Sequence, residues 1–237
     1  MNRELEQADI ILCPSEFVRD TMLQNGLPQS KCVTLPFGVD KRRFISSAQH
    51  PDQPVFVFLG HVGLRKGCQY LFPAFQQVKA LFPQARLICV GGIEPEFKPL
   101  AERWQGVAEF RGWIPEAEIA SVLSTATALV MPSVEEGQAR VLNEALAAGL
   151  PVVATYESGA TSLISDGVEG IIVPSRSVPM LRDALLSLSQ TPQRAIEMGK
   201  AALSRAAGAD SWQAYGDRLI AIYEERLAAI GRRSSHP

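Results

Sequence analysis

Three short segments combine residue types that bind phosphates, sugars or bases. Gly60-His61-Val62-Gly63-Leu64-Arg65-Lys66-Gly67 joins an apolar run at 55–59 to a helical pattern that begins near Gly67. Flexible glycines, two adjacent cations and a helix N-terminus make a phosphate cradle, because unpaired backbone N–H groups and positive side chains converge there. Lys66 can equally be a solvated side chain in an ordinary strand-to-helix loop. The second segment, Pro132-Ser133-Val134-Glu135-Glu136-Gly137-Gln138-Ala139-Arg140, runs into a helix that carries Glu144 eight positions after Glu136. Leu142, Ala145 and Leu146 flank Glu144 and place it near a buried seam, where a carboxylate needs a partner. Vicinal hydroxyls of a ribose or hexose suit that role, since an ionised carboxylate only accepts hydrogen bonds; a solvated helix flank is the other reading. In the third segment, Arg111-Gly112-Trp113-Ile114-Pro115, backbone groups can read the edge of a base while Ile114 lies against its face. It can also be a tight turn in which Trp113 covers a sheet edge.

All three segments follow apolar runs, and such runs alternate with longer amphipathic stretches along most of the chain. The candidate strands are 8–13, 31–35, 55–59, 86–90, 107–111, 127–131, 151–154 and 170–173. This alternation predicts an α/β fold, a Rossmann-like parallel sheet sandwiched by helices. In such sheets ligands bind beyond the carboxyl ends of the strands, where the three segments lie. Ser15 is a suitable N-cap for a first helix that Asn25-Gly26 ends. A helix over 67–82 presents Leu71, Phe72, Phe75, Val78 and Leu81, with Pro73 in its early turns and Pro83 at its end. From 178 onward the pattern is helical, broken at Thr191-Pro192 and around Gly208-Ala209-Asp210. A last helix over about 212–230 gathers Trp212, Tyr215, Leu219, Ile222 and Tyr223 on one face.

The 237 residues, 46% of them hydrophobic, suffice for one large domain, which at this size buries roughly 70–75% of its unfolded surface without metal or disulfide staples. With 23 basic and 25 acidic residues, the formal net charge is −2. The longest run of like charge is Lys41-Arg42-Arg43, so no field on the chain would hold nucleic acid or an anionic membrane unaided. Cys13, Cys32, Cys68 and Cys89 lie far apart and form no metal-binding pattern; they read as core residues of a reducing compartment. No stretch is apolar enough for a membrane span, and the N-terminus lacks a signal-peptide pattern, so the expected location is cytoplasmic, with the inner membrane face reachable through a partner domain. The absence of G-x-G-x-x-G in the first strand-to-helix turn disfavours a Rossmann oxidoreductase or methyltransferase.

In order and spacing, these segments resemble the retaining glycosyltransferases of family 4, the "group 1" family with the GT-B fold. The resemblance spans nearly the whole chain. Ala8-Asp9-Ile10-Ile11-Leu12 with Ser15 is similar to the family's strand-then-serine segment. Lys31-Cys32-Val33-Thr34-Leu35-Pro36-Phe37-Gly38-Val39-Asp40 with Phe44 is similar to its k-I-x-V-I-P-N-G-V-D…F crossover. Gly60 through Lys66-Gly67 resembles its v-G-R-l-x-x-x-K-G loop, and Leu87 to Gly91 its l-x-i-v-G strand. Pro132 through Glu136-Gly137, then Glu144 through Thr155, resembles the signature P-S-x-x-E-G…E-A-x-A-x-G-x-P-V-V-A-T. Ser158-Gly159, Asp166-Gly167 and Gly170 to Pro174 fit the tail.

The resemblance implies a hexosyltransferase that moves a sugar, with retention, from a nucleoside-diphosphate sugar to an acceptor hydroxyl, using neither cofactor nor metal. Lys66 and Glu136 would be catalytic. Lys66 would hold the diphosphate and stabilise the leaving nucleotide as charge builds on it. Glu136 would face the transferred sugar; Gly137, Gln138 and Ala139 would offer backbone N–H groups; Glu144 would take the ribose hydroxyls; Gly112, Trp113 and Ile114 would take the base. Gly60, His61 and Arg140 complete the implied donor site. Two departures stand out. His61 occupies the place of the family's Arg, whose fixed fork a histidine does not reproduce, and Gln138-Ala139-Arg140 follows Glu136-Gly137 where E-G-F-G is usual. The hypothesis that follows is that Arg140, or Arg65 beside Lys66, supplies the missing charge.

The expected organisation is an acceptor-domain remnant and linker at 1–48, a nucleotide-sugar-binding domain at 49–209, a helix at 210–231 that packs back toward the N-terminal segment, and a tail at 232–237. This is the C-terminal half of a GT-B fold. The acceptor domain, or a separate subunit in its place, is expected to be missing, and with it most transfer activity. The acceptor would be a glycan, lipid or small molecule, and nucleic acid is not a partner. A non-catalytic nucleotide-sugar-binding or partner-binding module is the alternative, favoured by His61.

Overall fold

The computed structural model describes residues 3–44, 51–209 and 211–234. The boundary expected at 48/49, residue 210 and the last residues of the expected tail lie outside these.

Six parallel strands form the main sheet: β3 (Val55–Leu59), β4 (Arg86–Val90), β5 (Glu109–Gly112), β6 (Ala128–Met131), β7 (Val152–Thr155) and β8 (Gly170–Val173), in the spatial order β5-β4-β3-β6-β7-β8. β3, β6 and β7 are buried throughout, because helices cover both faces of a parallel sheet, and their sequences are correspondingly apolar runs. The edge strand β5 alternates exposed and half-buried residues, and exposed Arg86 and Glu109 pair across it. β5 starts two residues later than the pattern at 107–111 suggests, because the N–H groups of Val107 and Ala108 both bond to Trp104 C=O and complete the preceding turn.

From β3 the chain builds outward to β5, then crosses back to β6 and builds the other way. The order therefore reverses between β3 and β6, and it is beyond the carboxyl ends of strands at such a reversal that open parallel sheets bind their ligands.

A smaller unit precedes this sheet. A short helix α1 (Arg3–Gln7) leads to β1 (Ile11–Cys13), α2 (Glu16–Gln24) and β2 (Cys32–Thr34), with β1 and β2 parallel. The first strand starts at Ile11 rather than at 8, since Ala8 N–H still bonds back to Glu4 C=O. Ser15 caps α2 by accepting from Val18 N–H. The core of this unit is small: Ile11, Cys13, Leu27 and Cys32 are its buried apolar residues.

Helix α3 (Cys68–Leu81) buries Leu71, Phe72, Phe75 and Val78 against the main sheet and carries Pro73 within it. The remaining helices are α4 (Lys98–Glu102), α5 (Glu116–Ser124), α6 (Arg140–Ala147), α7 (Val178–Gln190), α8 (Pro192–Ala207) and α9 (Trp212–Ser234). Tyr215, Leu219 and Ile222 of α9 are half-buried, whereas Trp212 and Tyr223 are each 45% exposed. Helix α9 and Ser211 just before it touch the segments that precede the main sheet: Arg226 donates to Asp9 C=O, and a Cβ on Gly38 would lie 2.7 Å from the backbone of Ser211 and Trp212. All four cysteines are free and buried.

Candidate functional site

The loop after β3 and the loop after β6 meet at the point of strand reversal. Gly60 leaves β3 at φ 142° and donates its N–H to Val90 C=O; Gly91 presses on it so closely that a Cβ there would lie 2.1 Å from Gly60 O. The loop returns through Gly67, whose φ of 75° starts α3 and whose absent side chain leaves room for Pro132. Val134 N–H donates to Arg65 C=O at 2.9 Å, which fastens one loop to the other.

This fastening brings together charges that are 70 positions apart. Lys66 Nζ forms an ion pair with Glu136 Oε2, the two side chains being 13% and 15% exposed. Arg65 lies 3.7 Å from the same oxygen and also donates to Glu135 C=O at 3.4 Å. Two cations thus converge on one carboxylate, while the Glu94 carboxylate packs against Gly63 of the same loop; a phosphate that displaces Glu136 would find both cations already in place. His61 is exposed near by in sequence, and of the two candidate arginines Arg65 reaches this cluster.

Arg140 is directed elsewhere. It is exposed at the start of α6, and its charge acts on Glu144 one turn later. Burial holds the Glu144 carboxyl above the usual carboxylate range; Arg140 and then Arg43 oppose this, and Glu116 adds to it. A small cavity of about 40 Å³ lies among Gly38, Arg43, Glu116, Arg140, Glu144 and Trp212. Arg43 and Glu116 are themselves paired, and Arg43 NH2 also donates to Glu116 C=O at 3.4 Å. Glu116 opens the helix that follows the third segment, so Glu144 and that segment belong to one neighbourhood.

In the third segment Gly112 ends β5 at φ 65°, and its C=O already accepts from Gly91 N–H at 2.7 Å. Ile114 is half-buried against the main core, and Trp113 is 79% exposed, so it does not cover the sheet edge.

Backbone groups of the loop between Glu136 and α6 are only partly free. Ala139 is buried and its N–H bonds to Ser158 C=O at 3.1 Å, whereas the N–H groups of Gly137 and Gln138 have no acceptor among the described residues. Gly159 lies against this loop at φ 78°, and a Cβ there would meet Gly137 O at 2.9 Å. Ser15 donates to Gly137 C=O at 2.5 Å, and Glu16 N–H donates to Ser162 Oγ at 2.9 Å. In sequence Ser15 reads as a helix cap and as part of the strand-then-serine segment; its bond to Gly137 depends on a contact 122 positions away. Among the described residues no cluster of three or more His, Cys, Asp or Glu side chains has the arrangement of a metal site, and no helix is long and apolar enough to cross a membrane.

A parallel sheet flanked by helices, with an order that reverses between β3 and β6, is an α/β fold that matches the structures of GT-B glycosyltransferases. The family model "Glycosyl transferases group 1" matches residues 53–191, and the chain belongs to that family. It is 33% identical over 185 residues to D-inositol 3-phosphate glycosyltransferase of Segniliparus rotundus, covering 75% of this chain and 41% of that protein. It is 30% identical over 244 residues to the GDP-mannose-dependent alpha-(1-6)-phosphatidylinositol monomannoside mannosyltransferase of Mycolicibacterium smegmatis, covering 94% and 64%. Among solved structures, sucrose-phosphate synthase of Thermosynechococcus elongatus superposes with a TM-score of 0.82 at 25% identity, covering 95% of this chain and 60% of that one. HepE of Anabaena in complex with UDP and glucose gives 0.81 at 17% identity, covering 94% and 65%. The chain thus spans less than two thirds of the length of each.

Proposed function

We propose that this chain is the donor-binding part of a retaining, family 4 hexosyltransferase that takes its sugar from a nucleoside diphosphate. The observation that carries this is the joining of Lys66, Arg65 and Glu136 across the strand reversal. In this reading the diphosphate of the donor lies on Lys66 and Arg65, and the Gly137 and Gln138 N–H groups add donors to the phosphate or sugar. Arg65 supplies the second cation beside Lys66, with His61 standing where the family has an arginine. Glu136 holds Lys66 in place before the donor arrives and faces the transferred hexose once it is bound. Glu144 accepts from the ribose hydroxyls, with Gly112, Trp113 and Ile114 toward the base. Negative charge grows on the leaving diphosphate as the glycosidic bond breaks, so a fixed cation there stabilises the transition state more than the ground state. No carboxylate acts as a base toward the acceptor in this scheme; the leaving diphosphate itself receives the acceptor proton on the face it leaves, which retains configuration.

The nucleotide-dependent naming of the mycobacterial relative supports a nucleotide-sugar donor. An acceptor domain or subunit beyond these residues completes the enzyme, and the chain alone transfers little or nothing. The test is a thermal-shift screen with GDP-mannose, UDP-glucose and ADP-glucose on the wild type and Glu144→Ala, since a ligand that binds the folded state raises its midpoint. One donor class should raise the midpoint of the wild type and not of the variant. No rise with any donor, or an equal rise in the variant, overturns the assignment, and robust turnover by the isolated chain overturns the need for an acceptor part.

A further inference from the structure

Two buried amides near the start of α6 grip the main chain of a single residue far away in sequence. Gln138, 5% exposed, accepts a hydrogen bond at Oε1 from Phe37 N–H at 3.0 Å. Asn143, 6% exposed, donates from Nδ2 to Phe37 C=O at 3.1 Å. The Phe37 ring in turn lies 6.2 Å from Trp212 and 6.3 Å from Tyr215, at the start of α9. Phe37 therefore joins the segment after β2 to the loop that carries Glu136, to α6 and to the last helix.

Packing does not account for this arrangement. Gln138 Nε2 is buried without an acceptor among the described residues, which costs stability that a methionine of similar shape would not lose. The tie to Phe37 N–H is what an amide supplies there and an apolar side chain does not. Because Ser15 also donates to Gly137 C=O at 2.5 Å, both residues that follow Glu136 are hydrogen-bonded to the segment before the main sheet. The stretch between Glu136 and α6 is thus held from two sides, by Ser15 and Phe37 at Gly137 and Gln138 and by Ser158 at Ala139.

We propose that Gln138 and Asn143 are positioning residues that clamp the peptide groups of Phe37, so that the crossover segment sets the donor loop and a bound nucleoside diphosphate in turn steadies Phe37. The inference rests on the donor-binding reading above. Coupling of this kind is reciprocal: if holding Phe37 improves ligand binding, the ligand must protect Phe37 by the same factor.

The experiment titrates GDP-mannose, UDP-glucose and ADP-glucose by calorimetry into the wild type, Lys66→Ala, Gln138→Met and Asn143→Leu, with amide hydrogen exchange at Phe37 followed with and without ligand. Removing one hydrogen bond of the clamp should weaken the preferred donor about tenfold, while the ligand-free unfolding midpoint of Gln138→Met changes little, because relief of the buried Gln138 Nε2 offsets the loss of the acceptor of Phe37 N–H. Ligand should slow exchange at Phe37 in the wild type and have little effect in Gln138→Met. If Lys66→Ala weakens binding and both clamp variants bind as the wild type does, the clamp is wrong and the donor site stands. Weaker binding with ligand-induced protection of Phe37 intact also counts against the clamp. If the wild type binds no donor, or Lys66→Ala binds as well as the wild type, the donor reading falls and takes the clamp with it. Asn143→Leu tests the clamp independently should Gln138→Met not fold.

Discussion

Replacing Lys66 by methionine keeps most of the side-chain volume and removes the charge that faces Glu136. Both side chains are about 85% shielded from water, being 13% and 15% exposed. The pair therefore lies between exposed bridges, worth about 0–1 kcal/mol, and fully buried ones, where losing one partner costs about 3–5 kcal/mol. Arg65, 3.7 Å from the same Glu136 oxygen, remains in Lys66→Met and offsets part of the loss. We expect a cost of about 2 kcal/mol, equivalent to a fall of roughly 4–8 °C in Tm for a chain of this size. Glu136→Gln should cost at least as much, because it leaves Lys66, 13% exposed, beside Arg65 with no carboxylate between the two cations. In Lys66→Met/Glu136→Gln neither charge is stranded, so the double variant should be more stable than the sum of the two losses implies, by about 1–2 kcal/mol. Urea unfolding of the four proteins measures this directly. Additive losses would mean that the two side chains do not interact in the folded protein, and the account of the charge cluster would be wrong.

Glu144 supplies a pH signature. Its carboxyl is held above the usual range chiefly by burial, so the folded state binds the proton more tightly than the unfolded one, and stability falls as pH rises through the window between the two values. Glu144→Gln should thus raise Tm at neutral pH, with the gain fading as pH drops below the ordinary carboxylate range; a gain independent of pH would contradict this. Gly67→Ala forces a left-handed φ on alanine and drives a Cβ to 1.9 Å from Pro132 O. It should cost at least about 1–3 kcal/mol, and circular-dichroism melting that matches the wild type would show that the two loops do not abut as described. The cysteines should be inert in the folded protein: burial pushes the Cys13 thiol up to about 11 and that of Cys68 up to about 12. Ellman's reagent should label none of the four until denaturant is added; rapid labelling of the native protein would show that the core around β1, β2, α3 or β4 opens readily.

The alternation of apolar runs with amphipathic stretches was enough to place all eight strands within a few residues, because strands buried on both faces leave little freedom in composition. Their ends were less legible. The turn that consumes the N–H groups of Val107 and Ala108, and the helix that holds Ala8, are settled by hydrogen bonds that compete with the strand pattern. Lys66, Glu136 and Glu144 could be singled out from residue type and spacing, since a basic glycine loop before a helix and an acid beside an apolar seam are local features.

Which charges meet was not local. Nothing in the spacing distinguishes Arg65 from Arg140 as the partner of Glu136; the hydrogen bond from Val134 to Arg65 decides it by fixing one loop against the other. Nor does the sequence reveal that Arg43 closes over Glu144 by pairing with Glu116, 73 positions away. The sequence by itself thus determined the fold class, which follows from composition and local order, while the family was legible through the resemblance of its motifs and the candidate segments through residue type and spacing. The partners of Lys66, Glu144, Ser15 and Phe37 were decided only by the tertiary structure, because each contact joins distant parts of the chain and exists only once the parallel sheet has brought the carboxyl ends of β3 and β6 together.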